Sequence, residues 1–200
     1  MVEAAIVVGG YLLGSAPFGY WAVRFFRNED IRTRGSGNIG ATNVWRVHGP
    51  ALGIPVVVLD VAKGFVPAFV GLKVAGDVVG VLAGAAAMAG HWRPLYLGFA
   101  RGGKTVATAG GVAFALVPLA ATCATATWIA LFLLGRYSSL ASIVATALLP
   151  VYVWLLGGDW PVIVFGAVAA VAVLLLHKTN VRRLLDGTEN RFHFRRAARA

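Results

Sequence analysis

The chain reads as an all-α protein: a polytopic membrane helix bundle with seven transmembrane helices, its N-terminus out and its C-terminus in. Three observations carry that expectation. Hydrophobic residues make up 58% of the 200 positions and charged residues only 13%, a balance that soluble domains rarely show. The apolar residues gather into seven runs, most of them near the ~20 residues a spanning helix needs. The net charge of +10 comes from basic residues in short segments between those runs. That placement sets aside nucleic acid as a partner and fits the cytoplasmic loops of a membrane protein.

The runs cover residues 3–25, 51–72, 76–92, 103–117, 119–134, 139–156 and 160–177. The first has no basic stretch before it and no small-residue cleavage site after it, so it is expected to be a retained span. The second carries Asp60 and Lys63, three apart and expected to pair inside the bundle. The fourth and fifth are short and meet at Pro118, which breaks helices. Fusing them would export Arg136 and the basic tail. Kept apart, they leave every Lys and Arg on one side except Lys63 and Lys73, as the positive-inside rule requires. The fourth run is rich in Gly110, Gly111 and other small residues and is expected to be central and surrounded by protein. Trp21, Trp92, Trp154 and Trp160 fall near span ends, as an aromatic belt would. One integral domain, 1–200, is expected, with a basic cytoplasmic tail at 181–200. Arg195, Arg196 and Arg199 in that tail suit anionic lipid head groups.

The polar residues gather in few places. Residues 34–49 form a glycine-rich, cationic stretch in an otherwise greasy chain. Gly35 and Gly37 permit positive φ and close approach, while Ser36, Asn38, Thr42, Asn43 and Arg46 offer donors suited to phosphate oxygens. The plainer alternative is a flexible connector. Gly102, Gly103 and Lys104 open the fourth run, where helix N–H groups and an ammonium would favour an anion; the GxxxxGK[ST] spacing of a P-loop is absent. His177 and Asn180 share one helical face at the end of the last run. With these segments, His91 and residues 136–139, including Ser139, are all expected on the cytoplasmic face, as walls of one site. The four histidines lack metal-ligand spacing and acidic partners, so no metal and no cofactor are expected. Cys123, the single cysteine, sits in an apolar run and reads as packing.

Assembled, these segments resemble the bacterial acyl-phosphate-dependent glycerol-3-phosphate acyltransferases nearly end to end. The resemblance rests on GSGNIGATNVWR (35–46), LDVAKG (59–64), GHWRP (90–94), GGKTVAT (102–108), RYSSLAS (136–142) and HKTNVRRLLDGTENR (177–191). Thr105 departs from it, standing where a small residue is expected after GGK; it either crowds the cradle or adds a hydroxyl. The resemblance implies a seven-helix enzyme of the bacterial inner membrane. Such an enzyme transfers an acyl group from acyl phosphate to the 1-hydroxyl of glycerol 3-phosphate, giving lysophosphatidic acid and phosphate. Its partners are those two substrates and membrane lipid.

Both substrates carry phosphate, so one cationic site must hold two anions. Ser36, Arg46 and Lys104 are expected to grip phosphate oxygens, with N–H groups near Gly37 and Gly103. Asn38, Thr42 and Asn43 shape the loop or add donors. His177 and Asn180 orient glycerol 3-phosphate. The general base is His177 or a substrate phosphate oxygen. Residues 183, 189 and 191 are placed to brace the site. The competing class is a transporter or channel for a phosphorylated anion, which would more often show repeat symmetry and midplane broken helices.

Overall fold

The protein, described here over residues 1–193 by a computed structural model, contains ten α-helices and no strand among those residues. They are α1 (Val2–Gly14), α2 (Phe18–Arg27), α3 (Ala41–His48), α4 (Pro50–Ala75), α5 (Asp77–Trp92), α6 (Val106–Leu116), α7 (Pro118–Gly135), α8 (Ser138–Leu155), α9 (Trp160–Leu176) and α10 (Lys178–Leu185). Arg195, Arg196 and Arg199 lie outside the described residues.

Every apolar run is helical, with three adjustments. Pro17 divides the first run into α1 and α2, because its ring nitrogen carries no N–H for the helix ladder. The fourth helix starts at Val106, later than hydropathy alone placed it, since Thr105 has φ 63° and ends helical geometry there. The last run bends by 63° at His177 into the polar helix α10. Among the described residues, four helical stretches are long and apolar enough to cross a membrane, and five are if α9 and α10 are one bent span. Pro118 does separate α6 from α7, and it occupies the first turn of α7, where a missing N–H costs nothing.

At 11 residues, α6 is about 16 Å long and too short to face lipid along a full bilayer. It lies against α4, α5 and α7, and its Thr108, Ala109, Gly111, Val112, Ala113 and Ala115 are buried. Contact with α4 is backbone to backbone. A Cβ on Gly64 would strike the Thr108 carbonyl, and one on Gly111 would strike the Val61 carbonyl. Such small-residue crossings are how membrane helices gain dispersion energy where lipid removes the hydrophobic drive. Large side chains point the other way: Val58, Phe69, Leu133, Val168 and Leu175 are all exposed. The four tryptophans expected in a belt are exposed as well.

Thr105 is a β-branched residue in left-handed geometry, buried, with an unpartnered Oγ1. That conformation costs about 1–3 kcal/mol, partly offset by the ~0.4–1 kcal/mol of chain entropy that a glycine would add to the unfolded state. Thr105→Gly is therefore expected to stabilise the folded protein by about 1 kcal/mol, read as a raised melting temperature in detergent.

Candidate functional site

The glycine-rich segment is a built loop, not a connector. Gly35 and Gly37 take φ of 57° and 70°, turning the chain back on itself. The buried Asn43 side chain on α3 holds the turn. Its Oδ1 accepts from the Ser36 N–H at 2.9 Å, and its Nδ2 donates to the Arg34 and Asn38 carbonyls at 3.0 and 2.9 Å. Asn38 Oδ1 accepts from the Gly40 N–H at 2.7 Å. Asn38 and Asn43 thus act chiefly as shapers. The loop seats on α2, where Gly19 leaves room for the Ile39 carbonyl. The arrangement delivers Ser36, Thr42 and Arg46 to a cavity of about 460 Å³.

The second segment enters from the end of α5. Gly102 and Gly103 donate their N–H groups to the Trp92 and His91 carbonyls at 2.8 and 3.0 Å. Gly103 lies so close to the His91 imidazole that no Cβ fits between them. The backbone N–H groups of Gly37 and Gly103, expected to grip phosphate, are engaged within the protein. They are bonded to Arg34 and His91, and Gly35, Gly37, Gly102 and Gly103 do not line the cavity. These glycines permit tight turns and close packing. Lys104, next in line, does face the cavity.

The third segment is the bend between α9 and α10. His177 caps α9 and donates Nδ1–H to the Val173 carbonyl at 2.8 Å, since a carbonyl can only accept. Its Nε2 is left as an acceptor. Burial, and then the nearby Lys104 charge, lower its pKa to about 4, so the ring is neutral at pH 7. One turn on, Asn180 accepts from Lys104 Nζ and donates to Glu189 Oε1 at 2.7 Å.

Glu189 is the hub of the polar wall. It accepts from Ser139 Oγ at 2.8 Å, Asn180 Nδ2 at 2.7 Å and Arg183 Nε at 2.7 Å. Burial pushes its pKa up, but these hydrogen bonds outweigh burial and hold it below the carboxylate norm. Ser139 lines the cavity, but its hydroxyl is engaged with Glu189, so it serves as a brace. Burial pulls Lys104 down to about 8, with the charges of Arg183, Arg101 and Arg46 adding to the fall and Glu189 opposing it. Arg46 is likewise lowered by burial; its Nε is buried with no hydrogen-bond partner, and its guanidinium lies 6.0 Å from the Phe192 ring centre. A cluster this crowded with cations is arranged for anions.

Ser36, Arg46, Lys104, His177 and Asn180, drawn from three segments distant in sequence, therefore line one cavity. Its far end is apolar, walled by Phe114 of α6, Trp128 and Ile129 of α7, and Leu149 of α8. Arg183 and Glu189 belong to the same wall. A lone pair of acids, Asp186 and Glu189, inside a basic tail was the sequence signal for them. Cys123 lies on α7, half-buried, and does not line the cavity.

Comparison with known proteins follows the same outline. Residues 4–187 match the family model described as glycerol-3-phosphate acyltransferase. A glycerol-3-phosphate acyltransferase of Desulforudis audaxviator is 45% identical over 192 residues, covering 96% of each chain. That of Aquifex aeolicus is 41% identical, covering 94% of this chain and 97% of its own. Two crystal structures of PlsY (YgiH), an integral membrane glycerol 3-phosphate acyltransferase, superpose with TM-scores of 0.92 and 0.90 at 39% identity. They cover 96% and 97% of both chains and are the glycerol 3-phosphate and lysophosphatidic acid forms.

Removing the hub leaves the buried Ser139 and Asn180 donors, and the half-buried Arg183, without their acceptor. Glu189→Ala is expected to cost about 3 kcal/mol, seen as a lowered melting temperature, with Asp186→Ala at the exposed neighbouring acid as the unaffected control.

Proposed function

The chain belongs to the glycerol-3-phosphate acyltransferase family, and from that membership we propose that it moves a fatty acyl group from acyl phosphate to the 1-hydroxyl of glycerol 3-phosphate. The products are lysophosphatidic acid and inorganic phosphate, and the reaction is the first acylation of phospholipid synthesis. The protein is a membrane acyltransferase, and membership in this family decides against the transporter reading.

One observation carries the chemical detail: a single cavity is cationic and donor-rich at one end and apolar at the other. The polar end suits two phosphates, and the apolar end between α6, α7 and α8 suits a fatty acyl chain. Ser36, Arg46 and Lys104 hold phosphate oxygens. Asn180, fixed by Glu189, aligns Lys104, and His177 and Asn180 orient glycerol 3-phosphate. Thr42 adds a hydroxyl at the rim.

The reaction needs no acyl-enzyme. Phosphate is a good leaving group, Cys123 does not line the cavity, His177 Nδ1 is engaged by the Val173 carbonyl rather than a carboxylate, and Ser139 is hydrogen-bonded to Glu189 rather than to a histidine. The 1-hydroxyl oxygen of glycerol 3-phosphate attacks the acyl carbonyl, a tetrahedral oxyanion forms, and the carbon–oxygen bond to phosphate then breaks. Lys104 and Arg46 stabilise the charge that develops, and alignment supplies much of the acceleration. His177 Nε2 accepts a hydrogen bond from the attacking hydroxyl. Burial and the nearby Lys104 charge make the imidazole a weak base in the ligand-free site, and a substrate phosphate oxygen is taken as the group that receives the proton.

The chain is read as one integral domain with seven crossings: α1 with α2, then α4, α5, α6, α7, α8 and α9. By the positive-inside rule the basic connections support an N-terminus outside and a site on the cytoplasmic side of the bacterial plasma membrane. The short α6 counts as a crossing because protein, not lipid, surrounds it.

Detergent-solubilised protein supplied with acyl phosphate and glycerol 3-phosphate is expected to form lysophosphatidic acid; no product from a folded preparation refutes the reading. Lys104→Ala and Arg46→Ala are expected to lower turnover by about 10²-fold or more, with membrane insertion intact. On the alkaline side, kcat/KM is expected to fall above about pH 8, where Lys104 loses its proton in the free protein. On the acid side, a limb near pH 6 is expected to persist in the residual activity of His177→Gln; its loss would assign the proton to the imidazole.

A further inference from the structure

Asp60 and His91 line the cavity, and with the buried Lys63 they form a chain of three ionisable side chains that the mechanism does not use. Lys63, Asp60 and His91 have side chains 1%, 3% and 5% exposed. Lys63 Nζ stands 2.8 Å from Asp60 Oδ1; the same oxygen approaches His91 Nδ1 at 3.7 Å, a contact beyond hydrogen-bond distance that leaves Nδ1 without a hydrogen-bond partner among the described residues. Charged groups within a spanning helix are expensive, and a buried ion pair is weak evidence for stability, since apolar residues of similar size often do as well. The connections at the two ends of this chain suggest what it does.

At one end, Lys63 Nζ donates to the Ala16 carbonyl at 2.8 Å and lies 5.5 Å from the Phe18 ring centre. Ala16 sits in the break between α1 and α2, so Lys63 ties α4 to the point from which α2 departs. On α2, Gly19 seats the Ile39 carbonyl of the glycine loop, which carries Ser36. At the other end, the His91 ring is the surface on which Gly103 rests, and the His91 carbonyl accepts the Gly103 N–H. Lys104 is the next residue. One run of contacts thus joins the footings of the two segments that bring Ser36 and Lys104 to the same cavity.

We infer that Lys63, Asp60 and His91 are positioning residues for the acyl transfer: they hold the Ser36 loop and the Lys104 loop at the separation two phosphates require. The inference rests on the function proposed above. It also accounts for the chemistry of each member. An apolar residue at 63 would leave the Ala16 carbonyl without that donor. A neutral residue at 60 would lose the ionic hold on Lys63, and a non-planar residue at 91 would unseat Gly103. None of the three need touch substrate for its loss to be felt, because a misplacement of ~1 Å in an aligned site costs about 10²-fold in rate.

The test uses the full-length protein in detergent, with acyl transfer by the parent measured alongside. The double variant Asp60→Asn/Lys63→Met removes both charges at once and strands neither. It is expected to stay folded, with KM for glycerol 3-phosphate and for acyl phosphate raised about tenfold and kcat lowered. The single variant His91→Gln keeps the Lys63–Asp60 pair and the fold, and is expected to raise both KM values about fivefold with little change in melting temperature. If the parent transfers acyl groups and folded His91→Gln keeps both KM values within about twofold of it, the inference is overturned, whether or not the double variant folds. A lowered melting temperature with unchanged KM also overturns it, since that describes a purely structural cluster. A parent that transfers nothing sinks the proposed function instead.

Discussion

Under the proposed reaction, holding two phosphate groups side by side next to hydrocarbon is the constraint to which the rest of this structure answers. Like charges a few ångströms apart repel strongly wherever water is thinned out, so the protein must supply compensating charge before the substrates arrive. It does so with Arg46, Lys104 and Arg183 around the acid Glu189. The strain of that arrangement is visible in Lys104, whose pKa is depressed to about 8 by burial and by neighbouring cations. In the proposed reaction bound anions would relieve the same strain, turning the cost of assembling the cations into affinity for phosphate.

Preorganisation follows from the polar scaffold. Glu189 collects donors from α8 and α10, and through Asn180 it fixes Lys104. Asn43 does the same for the glycine loop. The short helix α6 lets three helices close around the cavity, and its glycine contact with α4 brings the second span near enough for Asp60 to reach the cavity wall. Sequence, packing and electrostatics thus converge on one end of the bundle, leaving its far side free to take an acyl chain.

Much of this was legible in the residues. Hydropathy marked every apolar run, and Pro118 marked the boundary between α6 and α7, because a proline at the start of a helix leaves a clear trace. The break at Pro17 was hidden inside an apolar run that remains apolar on both sides of it. The short polar helices α3 and α10 escaped a search for hydrophobic spans because they carry no long apolar run. The start of α6 was misplaced because the left-handed geometry of Thr105 has no sequence signature in a β-branched residue. Ser36, Arg46, Lys104, His177 and Asn180 were readable as donors from their motifs. The roles of Gly37 and Gly103 were not, because a glycine permits close approach without naming what approaches. In both cases the partner of the N–H is the protein's own backbone.

The central claim is that a single cavity accepts both phosphates at once. It is tested most directly by determining the structure with glycerol 3-phosphate and inorganic phosphate bound together. The account predicts two phosphorus positions in the same cavity, with oxygens in contact with Arg46, Lys104 and the His177–Asn180 bend. Phosphorus found at one site only, or at opposite ends of the helix bundle, would contradict it.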